Sequence, residues 1–223
     1  MLDPNESLLK NGPGAKRFSQ DSALILAGGR SVRMGYDKKK LMLGGRSVLE
    51  KLLAELGALF GQVLVSSNDP VKGLEVFPDS LGAGPLAGIY QGLSHCPTAW
   101  LYVIACDMPF LNPDYIGYLR EMAASGHYDV CLTLGPGGRY EPFNAFYSKN
   151  CLGVIREALE KGHYQVRAAL DRLRLALIDQ QVAQSFGSEA IFFNINRPED
   201  LEQAEASLVP KLSKKPGPGP GQC

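Results

Sequence analysis

The chain reads as an α/β protein whose mostly parallel sheet carries helices on both faces, and three observations predict this. Short, uninterrupted apolar runs of strand length, such as Ala23 to Ala27 and Trp100 to Ala105, alternate with longer stretches of helical periodicity. Runs that are apolar at every position suit strands covered on both sides, as in a parallel sheet. Polar clusters follow directly on the expected strand ends, namely Gly28 to Lys38, Ser66 to Asp69, and Asp107. In open α/β sheets that edge is where ligands bind.

Met1 to Asp21 mixes Pro, Gly, Asn and Lys without periodicity and is expected to be a flexible N-terminal extension, with one domain spanning 22–208. Ala23 to Ala27 is the first central strand. Ser47-Val-Leu-Glu50 has capping-box spacing, and Val48, Leu49, Leu52, Leu53, Leu56 and Leu59 then recur at helical period, which predicts a helix ending near Gly57 or Gly61. Gln62 to Ser66 is a second strand that stops in the turn formers Ser66 to Pro70, and Leu74 to Phe77 is a short third. Small residues from Gly82 to Gly88 lead into a helix with Leu86, Ile89, Tyr90 and Leu93 on one face.

Trp100 to Ala105 is the clearest strand, ending at Cys106-Asp-Met-Pro109. Asn112 and Pro113 then start a helix, with Asn as cap and Pro in the first turn. Asp129 to Leu134 and Pro142 to Tyr147 read as strands around the Gly135-Pro-Gly-Gly138 turn. Cys151 to Lys161 and Gln165 to Leu173 read as helices, Leu175 to Ile178 and Ile191 to Asn194 as late strands, and Pro198 to Leu208 as the last helix. The remainder, 209–223, with four prolines and three lysines, reads as a disordered tail.

An apolar fraction of 45% and a charged fraction of 21% are those of an ordinary globular chain with a sizeable core. Lys and Arg number 23 and Asp and Glu number 23, so no global field favours nucleic acid or an anionic membrane, and anion specificity must be local. The longest apolar run, Trp100 to Cys106, falls far short of the roughly 20 residues that span a bilayer. The first twenty residues lack the apolar core of a secretory signal, so a cytoplasmic location is expected. Of five cysteines, Cys96, Cys106, Cys131 and Cys151 read as small core residues in a reducing compartment and Cys223 as exposed in the tail.

The loop from Gly28 to about Leu43 is glycine-rich and basic. Such a loop lets backbone N–H groups approach phosphate oxygens while Arg30, Arg33 and Lys38 neutralise their charge. It matches neither G-x-x-x-x-G-K-[ST] nor G-x-G-x-x-G, so a different phosphate-handling design is required.

Leu26-Ala-Gly-Gly-Arg-Ser-Val-Arg-Met-Gly35, Asp37-Lys38 and Leu41-Met-Leu-Gly-Gly45 resemble the signature of Rossmann-like nucleotidyltransferases, in detail the MobA-like molybdenum cofactor guanylyltransferase family. The resemblance continues through Phe77-Pro-Asp-Ser80, Gly84-Pro-Leu-Ala-Gly88, Cys106-Asp-Met-Pro109 and Asn194-Ile-Asn-Arg-Pro-Glu-Asp200, in the family's order and over most of the chain. It implies the three-layer sandwich of nucleotide-diphospho-sugar transferases. It also implies Mg²⁺-dependent transfer of GMP from GTP to molybdenum-bound molybdopterin with release of pyrophosphate.

By that resemblance the backbone of Leu26, Ala27, Gly28 and Gly29 would hold the nucleotide, Arg33 and Lys38 would clamp the triphosphate, and Asp107 would be the Mg²⁺ ligand. Asp79 would meet the ribose or base, with Gly84, Pro85 and Leu86 forming part of the guanine pocket. A carboxylate suits both guanine's N–H donors and ribose hydroxyls. Ser66 stands where relatives often have Asn, with Asn68 two residues on, and both are carried as nucleotide contacts. Asn194 and Asn196 flank Ile195 and on a strand would share a face; Asn194 is the candidate for metal-bound phosphate or pterin, while Asn196, with Glu199 three residues on, equally suits a helix cap. Arg139, Tyr140, Glu141 and Arg167 match the half of the family that meets the pterin phosphate.

Cytidylyl transfer to the same pterin, or nucleotidyl transfer to a sugar or polyol phosphate, is the enzymatic alternative. Ala27-Gly28-Gly29 favours guanine, because cytidylyl relatives tend to have Ala-Ala-Gly there. A catalytically silent regulatory domain is the other alternative, against which Arg33, Lys38 and Asp107 argue. Implied partners are GTP and molybdopterin, with molybdoenzyme apoproteins and other cofactor-biosynthesis proteins, and neither nucleic acid nor membrane.

Overall fold

The computed structural model describes residues 17–28, 41–68, 70–71, 76–77, 84–186 and 189–208. Its centre is β1, Phe18–Leu26, which pairs in parallel with β4, Phe60–Ser66, on one side and β6, Trp100–Ala105, on the other. Side chains along β1 alternate between two cores: Ala23, Ile25 and Ala27 enter one, Leu24 and Leu26 the other. That two-sided burial is why the strand is apolar at every position from Ala23 to Leu26. Each fully buried Leu or Ile contributes about 1.5–3 kcal/mol.

Seven strands form the main sheet in the order β5-β4-β1-β6-β8-β7-β9, with β5 at Val76–Phe77, β7 at Val130–Gly135, β8 at Arg139–Ser148 and β9 at Leu175–Asp179. Only β8 opposes its neighbours, pairing antiparallel with β6 and β7. A two-stranded ribbon, β2 at Met42–Leu43 and β3 at Arg46–Ser47, lies apart. On the first face pack α1, Val48–Leu59, α3, Pro113–Ala124, α6, Gln180–Ser185, and α7, Pro198–Leu208. On the second pack α2, Pro85–His95, α4, Cys151–Glu160, and α5, Val166–Leu170. The architecture is the expected mostly parallel three-layer α/β sandwich.

Local signals placed several helix starts. The Ser47 hydroxyl accepts from Glu50 N–H at 3.1 Å while the Glu50 carboxylate accepts from Ser47 N–H at 3.2 Å, completing the capping box. Asn112 caps α3 by accepting from the N–H groups of Asp114 and Tyr115, both at 3.0 Å. Cys96, Cys106, Cys131 and Cys151 are buried free thiols; Cys223 and the tail lie outside the described residues. No helix among the described residues is long and apolar enough to cross a membrane.

Three sequence expectations require correction. The first strand begins at Phe18 rather than Ala23, so Phe18 to Asp21, assigned to the extension, lie within it. The polar letters Ser19, Gln20 and Asp21 concealed this. Phe18 pairs with Phe60 and Ser22 with Gln62, so a bulge absorbs the exposed residues, and buried Asp21 accepts from Arg120 at 2.7 Å. Ile191 to Asn194 is not a strand: Glu189–Phe192 is a 3-10 turn. Ile191 and Ile195 are buried while Phe193 midway between them is only half-buried, so the alternation of a strand is absent. The shared-face argument for Asn194 and Asn196 therefore falls. Finally, the second expected helix of the C-terminal half is only Val166–Leu170, whereas Asp179 caps an unanticipated one by accepting from Gln181 N–H at 2.7 Å.

Asp129 anchors the far end of the sheet. Its carboxylate accepts from Arg174 Nε at 3.0 Å, Nη2 at 2.7 Å and N–H at 3.0 Å. The Arg174 guanidinium holds the Asp129 carboxyl below the usual range, against the opposing effect of burial. Because the Arg174 side chain is 59% exposed, solvent screens the pair. Asp129→Asn is expected to lower unfolding free energy by roughly 1–2 kcal/mol at pH 7 by urea denaturation. The folded pKa is depressed, so this difference is present above about pH 4 and shrinks as pH falls through the folded value.

Candidate active site

Main-chain hydrogen bonds continue the sheet one residue past its strand ends. Ala27 N–H donates to Ser66 C=O at 2.8 Å, Cys106 N–H to Leu26 C=O at 3.0 Å, and Ser67 N–H to Phe77 C=O at 3.0 Å. The carboxyl ends of β5, β4, β1 and β6 are thus locked side by side. Leu26 and Ala27 are buried, and at Gly28 the chain emerges: it is exposed, with nothing within 4 Å of where a Cβ would stand. Gly29, Arg30, Arg33, Lys38 and Asp79 lie outside the described residues.

Over this edge sits the N-terminus of α2. Gly84 has φ 68° and ψ −149°, a region essentially restricted to glycine, and Pro85 occupies the first turn. Glycine supplies no capping side chain, so the helix presents its main chain and the positive end of its dipole to this edge. Gly84 and Pro85 are exposed, whereas the Leu86 side chain is wholly buried, leaving only its backbone to meet a ligand. The helix lies very close to the sheet: a Cβ on Gly88 would be 2.6 Å from Leu26 Cδ2 and 2.8 Å from Ser66 Oγ. Ser66 is therefore a buried residue packed beneath α2, while Asn68, two residues on, is exposed.

Asp107 stands next to this junction at the end of β6, with 8% of its surface exposed. Its loop is held by main chain, with Met108 N–H donating to Ala105 C=O at 3.1 Å and Ile195 N–H to Asp107 C=O at 2.9 Å. The second bond brings the segment after the 3-10 turn against Asp107, so Asn194 reaches the site edge even though its strand does not exist. Asn194 is half-buried and its Nδ2 donates to Phe192 C=O at 2.9 Å. The N–H groups of Asn196 and Arg197 both donate to Asp200 Oδ2 at 2.8 Å, so the Asp200 carboxylate, and not Glu199, closes the start of α7.

Sequence reasoning missed Lys51. From α1 its Nζ donates to Pro109 C=O at 2.7 Å and pairs with Glu55 at 2.7 Å, clamping the loop of Asp107 from the other side. In sequence the Lys51–Glu55 spacing reads as an ordinary surface helix pair, so no signal pointed to Pro109.

Because β8 runs against β6, with Val103 opposite Ala145, its first residues extend beyond the carboxyl end of β6. There Arg139 is exposed, and Arg167 from α5 lies over the Tyr140 ring, 5.8 Å from its centroid. Burial pushes the Glu141 carboxyl up, and Arg139 partly offsets this. Two segments far apart in sequence thus form one patch, on the same edge as Asp107.

Residues 23–176 match the family model described as MobA-like NTP transferase domain. The chain is 37% identical over 188 residues to the molybdenum cofactor guanylyltransferase of Syntrophotalea carbinolica, covering 82% of this chain and 89% of that protein. Among solved structures it resembles molybdopterin-guanine dinucleotide biosynthesis protein A from Archaeoglobus fulgidus, with TM-score 0.73 and 26% identity over 83% of this chain and 97% of the other. It shares its fold with 2-C-methyl-D-erythritol 4-phosphate cytidylyltransferase from Thermus thermophilus, with TM-score 0.62 and 23% identity over 83% and 97% of the two chains.

Proposed function

The chain belongs to the MobA-like NTP transferase family, and from that premise we propose that it transfers GMP from GTP to the terminal phosphate of molybdenum-bound molybdopterin, releasing pyrophosphate. It is a nucleotidyltransferase, and its product is the guanine dinucleotide form of the cofactor. The observation that carries this reading is the junction of Leu26 to Gly28, the α2 N-terminus and Asp107 on one sheet edge.

In the reaction the acceptor phosphate oxygen forms a bond to the α-phosphorus of GTP as the bond to the bridging oxygen of pyrophosphate breaks. The acceptor is already anionic, so no general base is needed, and the protein's task is to align two anions and offset their repulsion. Leu26 and Ala27 support the nucleotide from the strand end, the Ala27 N–H being held by Ser66 C=O, while Gly28, Gly29 and the first turn of α2 offer backbone N–H groups, with Gly84 and Pro85 shaping the guanine pocket and Asp79 meeting base or ribose. Ser66 sets the floor beneath α2, and Asn68 lies at the rim. Arg33 and Lys38 are assigned to the triphosphate, and Asn194 to the acceptor side of Asp107. Arg139, Tyr140, Glu141 and Arg167 are assigned to the pterin half.

A Mg²⁺ ion fits at Asp107. The side chain is a hard oxygen donor at a strand end, and no group of three His, Cys, Asp or Glu that could hold a metal is found among the described residues. One carboxylate with substrate phosphates and water is a coordination that Mg²⁺ favours. When bound, it would supply positive charge against the triphosphate. Location in the cytoplasm and delivery of product to molybdoenzyme apoproteins, or to other cofactor-biosynthesis proteins, belong to the same reading.

A nucleotide panel tests it. With molybdopterin and Mg²⁺, pyrophosphate release is expected from GTP and not from CTP; turnover with CTP alone would sink the guanylyl assignment, and silence with every nucleotide would favour a regulatory domain. Lys51→Met, which leaves the Pro109 carbonyl without its cation, is expected to lower kcat roughly tenfold by loosening the loop of Asp107, with GTP affinity within about twofold of the parent. Steady-state pyrophosphate release and GTP titration separate these two quantities.

A further inference from the structure

We propose that Asn144, which no motif singles out, is a positioning residue for the transfer site, holding in place the segment that seats Asn194 and Ile195 against Asp107. It is the only non-glycine residue with positive φ among those described, at 60°, and it is 1% exposed. A side chain in that conformation is strained unless its surroundings hold it there, and Asn tolerates it better than most residues. The cause lies in β8. Between the pairs Cys131–Phe146 and Thr133–Glu141, two steps along β7 are matched by five along β8, so the strand bulges away from its neighbour. Asn144 sits inside the bulge.

Both ends of its amide are used. Its Oδ1 accepts from the Tyr102 hydroxyl at 2.7 Å, and its Nδ2 donates to Ile191 C=O at 3.2 Å. Burial raises the Tyr102 phenol well above its ordinary pKa, so it stays a donor at any physiological pH. Ile191 belongs to the 3-10 turn, and four residues later Ile195 N–H donates to Asp107 C=O. The path is a closed circuit that starts on β6 at Tyr102, passes through Asn144, Ile191 and Ile195, and returns to the end of β6 at Asp107. Such a circuit sets the distance between the carboxylate and the Asn194 segment independently of the nucleotide side of the edge. Asn alone meets all its needs: Gly accepts the φ without either bond, and Asp accepts the φ and the Tyr102 proton but cannot donate to Ile191.

The inference rests on the guanylyl-transfer reading, and its test is chosen to fail separately from it. Full-length Asn144→Gly, Asn144→Asp and Tyr102→Phe are compared with the parent by hydrogen exchange of peptides spanning 189–196, by GTP titration, and by kcat and KM for molybdopterin. Exchange in that segment is expected to accelerate about tenfold or more in both Asn144 variants, while α2 and β4 keep parental rates. With it, kcat should fall by about tenfold or more, KM for molybdopterin should rise, and GTP affinity should stay within about twofold. Tyr102→Phe, which removes one hydroxyl without changing shape, should give the same pattern more weakly and guards against an Asn144 variant that does not fold. Unchanged exchange at 189–196 would overturn the proposal, since buried Ile191 and Ile195 would then be holding the segment unaided. Faster exchange with parental kcat and KM would overturn it equally. Should the parent itself transfer no guanylyl group, the function reading fails by itself, and the exchange data still decide whether the tether exists.

Discussion

Asp107→Asn is expected to lower guanylyl transfer about a thousandfold while leaving the fold and its thermal stability nearly unchanged. The magnitude follows from losing a fixed negative oxygen where Mg²⁺ and the triphosphate would meet, a contribution of several kcal/mol to the transition state. The fold is spared because this loop is held by main chain. Cys106 N–H to Leu26, Met108 N–H to Ala105 and Ile195 N–H to Asp107 C=O all survive the substitution, and Asn nearly matches Asp in shape. Pyrophosphate release with GTP, Mg²⁺ and molybdopterin, read beside a melting curve, decides the matter. Parental turnover in the variant would remove Asp107 from the metal site.

Gly88→Val should act on the other side of the junction, and through packing rather than charge. At an open helix position replacing glycine would gain up to about 1 kcal/mol of helix propensity, less for a β-branched residue. Here a Cβ would come within 2.6 Å of Leu26 Cδ2 and 2.8 Å of Ser66 Oγ, both in buried residues. Overpacking of this kind costs roughly 1–3 kcal/mol and exceeds the propensity gain. The expected net drop of about 1–2 kcal/mol corresponds to roughly 2–8 °C in Tm for a chain of this size. Because α2 must lift from β1 and β4, its first turn moves relative to Leu26 to Gly28, and GTP affinity should weaken by about tenfold or more. Calorimetry and GTP titration report the two effects, and a variant as stable and as tight as the parent would show that α2 need not sit this close.

Wherever the physics is local, the elements were legible in the sequence. The Ser47–Glu50 box and the Asn112 cap join residues two or three apart, and the run Trp100 to Ala105 ends where β6 ends. Gly28, Ser66 and Asp107 fall on one edge because the strands that precede them are parallel and end there. Errors came where neighbours in sequence misled. Ser19 to Asp21 look like linker but lie in a bulged strand whose partner, Phe60, is far along the chain. The letters Ile191 to Asn194 suggest a strand, yet Glu189–Phe192 is a 3-10 turn and Phe193 is only half-buried.

What the sequence by itself determined is the class of fold, the order of most elements and the residues at the strand ends. These rest on hydrophobic periodicity and on hydrogen bonds within a turn, and both are written in adjacent letters. Only the tertiary structure decided that β8 opposes β6, which carries Arg139 to Glu141 to the site edge and sets Arg167 over Tyr140. Only it showed that Lys51 reaches Pro109, 58 residues away, and that Asn144 reaches Ile191, 47 residues away. Those contacts owe nothing to local preference. The second exists because a bulge in β8 sets the buried Asn144 amide against Ile191, where it must find a partner or bear the full penalty of leaving water.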